Sequence, residues 1–154
     1  MWVSPTQKVE KLELCARIPH AGKMCLLEQV LGWDQTHIHC LATSHRNHDN
    51  PLRARGVLGS VSGVEYAAQA MAVHGSLIDS HAQAGPRPGF IVSLRDVRLF
   101  VDRLDLVQED LQVRASQLSG SEGGFVYEFE VSANQHCLLS GRIGVVLLGR
   151  ELLS

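Results

Sequence analysis

The sequence has no basic block, no long apolar run and no C-x-x-C pair, and each absence removes a class of function. Lys and Arg total 14 against 16 Asp and Glu, a formal charge of −2 with the eight His neutral. The cations are not clustered, so the electrostatic footprint of a nucleic-acid binder is missing. No stretch reaches the roughly 18–20 apolar residues that crossing a bilayer takes, so no membrane span is expected. The opening MWVSPTQKVEKLEL alternates polar and apolar residues and lacks the continuous apolar core of a secretion signal. The four Cys, at 15, 25, 40 and 137, form no C-x-x-C pair and no spacing suggestive of zinc or a disulfide framework. They are expected to be four reduced thiols in a cytoplasmic protein, packed as small hydrophobes. No linker, repeat or low-complexity segment interrupts the chain. Its 154 residues, 45% of them apolar, are expected to form a single domain over 1–154 with a real core.

The apolar pattern changes along the chain. KMCLLEQVLGWDQTHIHCLATS predicts two strands, roughly 26–33 and 36–43, joined by a turn at Asp34-Gln35. Two loop-like stretches, HRNHDNPLRARG (45–56) and DSHAQAGPRPG (79–89), bracket a long helix. Beyond them the period becomes two. In FVYEFEV, Phe125, Tyr127, Phe129 and Val131 share one face, as in a half-buried strand. SGSEGG (119–124) makes that strand one arm of a hairpin with DLQVRASQL. Residues 90–102 and 136–149 are also strand-like, the latter set off by an ANQ turn. The order is short strands, one long helix, then about four strands in a meander. One helix can cover only one face of a sheet, so an α+β layout with the sheet wrapped around the helix is expected.

The helix, VSGVEYAAQAMAVHGSL over 61–77, is apolar nearly all round, which marks a buried helix. Glu65 stands near its start. Ser62-Gly63-Val64-Glu65 fits S-x-x-E, a capping box in which Glu65 reaches back to the Ser62 amide. A carboxylate in an apolar setting is also partly desolvated, which raises its pKa, while the helix dipole lowers it. Opposed influences of that kind suit a group that exchanges a proton. Cap, surface charge and catalytic acid all stay open at this level.

The histidines divide by location. His37 and His39 form H-x-H on a strand and point the same way, with no convincing third metal ligand. His74 and His81 lie near the helix C-terminal end, where a cation is favoured. His45 and His48 sit in the polar loop that leads into the helix. A loop imidazole and a carboxylate on a rigid helix form a common acid–base arrangement.

IPHAGKMCLLEQVLGWD (18–34), the loop ending in NPLR (50–53) and GVEYAAQAMAVHG (63–75) resemble the hotdog-fold 3-hydroxyacyl-(acyl carrier protein) dehydratases. The sequence is most similar to those encoded with aryl-polyene and related fatty-acid-like synthesis clusters. The likeness runs over about 18–148 and is most specific over 18–75. It implies an antiparallel sheet wrapped around a central helix, and a homodimer or hotdog heterodimer with the active site at the interface. One subunit would supply the loop His and the other the helix Glu. The substrate would be a 3-hydroxyacyl thioester on the phosphopantetheine of an acyl carrier protein, dehydrated without metal or cofactor. The His would take the α-proton, and the acid would protonate the leaving hydroxyl.

Mapped onto this chain, the acid is Glu65, and the base is His45 or His48. His45 is favoured because H-x-x-x-x-N-P-L-R looks like the nearest relatives. Amides at the helix start, such as those of Gly63 or Val64, would bind the thioester oxygen. Gly63 would leave room for it, and Tyr66 and Gln69 would be supporting contacts. Met71 and Phe100 are candidate tunnel residues. The sequence departs from the family in lacking G-H-F-P-G followed by P-x-x-P-G. His48 lies 17 and His45 20 residues before Glu65, which implies a longer loop. Two other activities fit a hotdog domain: a thioesterase in which the carboxylate activates water, and a non-catalytic subunit that pairs with an active one.

Overall fold

The computed structural model describes residues 8–18, 24–78, 89–121 and 123–147. Its elements run α1 (Lys11–Ala16), β1 (Gln29–Trp33), β2 (His37–Ala42), α2 (Gly63–Ile78), β3 (Gly89–Leu99), β4 (Leu111–Ser121), β5 (Gly124–Ala133) and β6 (His136–Leu147). Short 3-10 turns at Ser44–Arg46 and Ser60–Ser62 lie between β2 and α2. The strands form one sheet in the order β1-β2-β4-β5-β6-β3, every neighbouring pair antiparallel.

Local chemistry explains the hairpins. Between β1 and β2, the Asp34 carboxylate accepts the amides of Thr36 at 2.9 Å and His37 at 2.8 Å, which closes the turn. Between β5 and β6, Asn134 and Gln135 both take positive φ, 50° and 66°, the two-residue hairpin geometry whose twist matches the strands. The alternating burial of β5 puts Tyr127, Phe129 and Val131 in the core while Glu128 and Glu130 face water.

Helix α2 packs on β2, β4 and β5, on the concave face of the sheet. It buries Val64, Ala67, Ala70, Met71 and Val73 against Ile38, Val113 and Tyr127, among others. The α+β layout with one enclosed helix is as expected. The meander is not as expected in one respect: β3 does not pair with β4 but crosses to the far edge and pairs with β6. Periodicity identifies a strand, whereas its neighbour is set by which edge the chain reaches after the helix.

Two further expectations change. Residues 11–16 form a helix that the alternating pattern did not suggest, with Leu14 buried as its anchor. Helix α1 folds back over the segment that precedes β1, and Cys15 and Cys25 are joined there in a disulfide. Four reduced thiols are therefore not what the structure contains; Cys40 and Cys137 are the free pair. Spacing alone missed the bond because the tertiary approach of α1, not a motif, brings the sulfurs together. The 79–88 part of the second loop, the Pro19-His20 opening, His81 and both ends of the expected 1–154 domain lie outside the described residues. Among the described residues, no helix is long and apolar enough to cross a membrane.

Candidate active site

Every residue of α2 is buried or half-buried except Glu65, which is exposed. The capping box does not form. A 3-10 turn runs directly into the helix, and the Ser62 amide that Glu65 would need donates to the Gly59 carbonyl at 3.0 Å. The Glu65 carboxylate makes no hydrogen bond or ion pair with the described residues of its own chain. The expected desolvation is therefore absent within one chain. Glu65 is thus a lone exposed acid on an otherwise buried or half-buried helix.

His45 is the opposite case. It is 0% exposed, in the 3-10 turn Ser44–Arg46. Its Nε2 lies 3.1 Å from the carbonyl of Val107 and 3.0 Å from that of Glu109. Both partners are acceptors, so Nε2 carries the proton. Nδ1 is buried and has no partner. Burial is the main cause that lowers the His45 pKa, with the neighbouring Arg46 charge acting in the same direction. The ring is held neutral, with its spare lone pair on Nδ1. His48, the other candidate, is exposed in the following turn. The two loop histidines are thus sorted by burial, and only His45 is oriented by the fold.

A relay of hydroxyls connects the His45 turn to the Glu65 helix. Asn50 Nδ2 donates to the Tyr66 hydroxyl at 3.0 Å and to the Ser44 carbonyl at 2.9 Å. The Ser44 hydroxyl donates to the Leu26 carbonyl at 2.7 Å. That leaves the Tyr66 proton for Ser44 Oγ, 2.8 Å away. Each proton in this buried chain has one destination, as a low-dielectric interior requires. Ser44 and Tyr66 are the sequence neighbours of His45 and Glu65, so the relay sets loop and helix in register. Tyr66 points inward, and Glu65, one residue back around the helix, points out. No hydrogen bond or ion pair joins Glu65 to His45 within the chain.

Three supporting roles are revised. The Gln69 amide is held by backbone: its Oε1 accepts the Leu26 amide at 2.8 Å, and its Nε2 donates to the Met24 carbonyl. It fastens the segment before β1. At Gly63, an added Cβ would lie 2.5 Å from a Leu139 methyl, so the missing side chain serves close packing of α2 on β6. The Gly63 amide is taken by the Ser60 carbonyl of the preceding 3-10 turn, so it is not a free oxyanion donor. Sequence reading also passed over Asp105, and it quoted Arg53 in NPLR without a role. Both bear on His45, and the motif was the available signal for Arg53.

At the far end of α2, His74 is wholly buried rather than a solvated helix-end cation. Its Nε2 donates to the Asp34 carbonyl at 2.8 Å, and its Nδ1 accepts the Tyr127 hydroxyl at 2.6 Å. Burial is the main cause that lowers its pKa too. His39 and Gln112 meet on the outer face of the sheet, and no group of three His, Cys, Asp or Glu among the described residues can hold a metal ion together.

An antiparallel sheet wrapped around one enclosed helix is the hotdog fold. The chain belongs to the ApeP-like dehydratase family, whose model, the ApeP dehydratase, matches residues 12–149. It is a hotdog-fold dehydratase, a lyase. Among solved structures it is similar to the dehydratase heterocomplex ApeI:P from Xenorhabdus doucetiae. That match has 25% identity over 91% of this chain and 93% of that one, with a TM-score of 0.80. A thioesterase from Haemophilus influenzae shares the fold at 13% identity and a TM-score of 0.63, covering 96% of this chain and 94% of its own. A mutant thioesterase from Pseudomonas aeruginosa does so at 10% and 0.58, covering 79% and 81%. These two likenesses speak for the fold alone. No curated protein matches the sequence.

Proposed function

We propose that the chain dehydrates a 3-hydroxyacyl thioester, carried on the phosphopantetheine of an acyl carrier protein, to the trans-2-enoyl thioester, in aryl-polyene or related fatty-acid-like synthesis. The observation that carries the reading is the His45 imidazole, neutral and fixed by two carbonyls with Nδ1 unused. Such a ring is a general base waiting for a proton. His45 takes the C2 proton, and the electrons move to the thioester oxygen. They return as the C3–O bond breaks, and Glu65 gives its proton to the departing hydroxide, releasing water. His45 ends as an imidazolium and Glu65 as a carboxylate, and one proton passing from the first to the second through solvent resets both. The helix start, where Val64 follows Gly63, is where an amide would face the developing oxyanion.

Glu65 and His45 do not meet within one chain, which supports a site completed by a second subunit. The free edge of the sheet supports the same view. Strand β3 pairs on one side only and exposes Phe90, Ile91, Val92, Leu94 and Leu99, a combination that invites another chain. That subunit is a second copy or, as in the ApeI:P heterocomplex, a hotdog paralogue. The reading places the chain in the cytoplasm. The Cys15–Cys25 bond weighs against that compartment, and thiol trapping in intact cells decides between bond and free thiols.

The deciding experiment presents a 3-hydroxyacyl carrier protein to the purified chain, alone and with its paralogue, and follows the carrier by mass spectrometry. Loss of one water with the acyl group still attached is expected. Release of free acid would instead support the thioesterase reading. Turnover that needs the paralogue and survives loss of both His45 and Glu65 from this chain would make it the non-catalytic subunit.

A further inference from the structure

The loop that follows β3 holds His45 by its ring, and the same loop is tied to His45 by its backbone. The ring side is the pair of carbonyls of Val107 and Glu109. The backbone side runs through two charged residues. Arg53 Nη2 donates to the His45 carbonyl at 3.3 Å, and Nη1 donates to the Gly56 carbonyl at 2.9 Å. The Arg53 guanidinium also sits 4.0 Å from Asp105 Oδ2, with side chains only 10% and 4% exposed. Asp105 is seated in turn by the Leu58 amide at 3.0 Å and by Arg103 at 3.1 and 2.5 Å. The path is closed: His45 ring, loop 104–109, Asp105, Arg53, His45 backbone.

We propose that Arg53 and Asp105 are positioning residues for His45, which lock its Nε2–H form and aim Nδ1 at the substrate. The inference rests on His45 as the base of the proposed reaction. Asp105 anchors the loop whose carbonyls receive the ring proton, and Arg53 holds the turn that carries the ring against that anchor. Two guanidinium groups face the one Asp105 carboxylate, so removing it leaves like charges side by side and opens the loop. Lys cannot replace Arg53, because one ammonium cannot span the His45 carbonyl, the Gly56 carbonyl and Asp105 from one planar fork. Arg46 flanks the ring on the other side, bound to the Gln108 carbonyl at 2.5 Å and to Asp110 at 2.6 Å. Arg46, Arg53, Arg103, Asp105 and Asp110 are thus charged groups around the His45 turn and the loop that anchors it.

The test uses the chain labelled with 15N-histidine, in the assembly in which it purifies, as wild type, Asp105→Asn, Arg53→Met and Arg53→Lys. In the wild type the His45 imidazole is expected as a single Nε2–H form that stays neutral below the ordinary histidine range. All three variants are expected to show mixed tautomers, with titration moved up towards the ordinary range as water enters. In parallel, kcat is expected to fall about 100-fold, as for a misplaced catalytic group, with KM little changed. A wild-type His45 protonated on Nδ1 would overturn the proposal whatever the variants do. So would folded variants with the wild-type tautomer and titration. Failure of the proposed reaction has a different signature: His45→Ala retains turnover while the ring in the wild type is still locked.

Discussion

Two buried histidines stand at opposite ends of the central helix, and they differ in whether the second ring nitrogen has a partner. His45 and His74 are both 0% exposed, and both give the Nε2 proton to backbone carbonyl oxygen. Burial holds both neutral. His74 spends its second nitrogen on the Tyr127 hydroxyl, whereas His45 leaves Nδ1 without a partner. A satisfied ring is an element of the core, since each buried polar atom has its match. A ring with one lone pair to spare carries a cost in stability, and a fold retains that cost where the lone pair has work to do. Burial alone does not distinguish the two rings; the second nitrogen does.

The comparison breaks most visibly in activity. His45→Ala is expected to lower kcat for enoyl thioester formation by about 10²- to 10⁴-fold, the usual contribution of a general base. His74→Ala should leave turnover of the folded protein close to wild type. Equal losses in the two variants, once folding is verified by circular dichroism, would erase the distinction.

Stability should show the reverse. His74→Ala strands the Asp34 carbonyl, at about 1–3 kcal/mol for an unmatched group, and opens a cavity in the core, while the Tyr127 hydroxyl keeps Gln117 Oε1 at 3.4 Å. At about 2–4 °C of Tm per kcal/mol for a domain of this size, calorimetry should read a drop of several degrees. Tyr127→Phe removes one partner from His74 and should cost less, about 0.5–1.5 kcal/mol. A Tm loss for Tyr127→Phe as large as that for His74→Ala would mean the hydroxyl, not the ring, anchors the site.

The pH dependence is the smallest effect and sharpens both cases. The folded-state pKa values of His45 and His74 are lowered, so between those values and about 6.5 the unfolded chain binds protons that the folded chain refuses. Their contribution to stability is therefore complete above about pH 6.5. It is lost as pH falls towards the folded values, and it levels off below them. Thermal melts from pH 8 to pH 5 should show Tm falling on the acid side, with a shallower fall in His74→Ala. A wild-type Tm that rises on acidification would contradict neutral burial of both rings.

Much of the scaffold was legible from residues alone. Asp34 marked its turn because an Asx side chain can close one locally. β5 showed its period of two, and α2 showed an apolar circumference. The site was legible only as a short set of candidates. Ser62 and Glu65 matched a capping box in sequence, yet the preceding 3-10 turn had already claimed the Ser62 amide. Gln69 looked available for substrate until backbone from residues 24–26 occupied it. Gly63 looked open until Leu139 of β6 filled the space beside it. For Gln69 and Gly63 the competing partner comes from a part of the chain remote in sequence; for the capping box it is the local 3-10 turn, Gly59 to Ser62.

What the sequence determined by itself was the inventory of local forms: hairpins, a buried helix, and a loop with two histidines leading to an acid. Those depend on side-chain period and turn chemistry, which act over a few residues. The tertiary structure decided the place of β3 at the free edge, the Cys15–Cys25 bond, and the choice of His45 over His48 as the oriented ring. It also turned Glu65 outward, away from the His45 of its own chain. These depend on contacts between residues 10 to more than 60 positions apart, and no local pattern encodes which distant carbonyl will meet which proton.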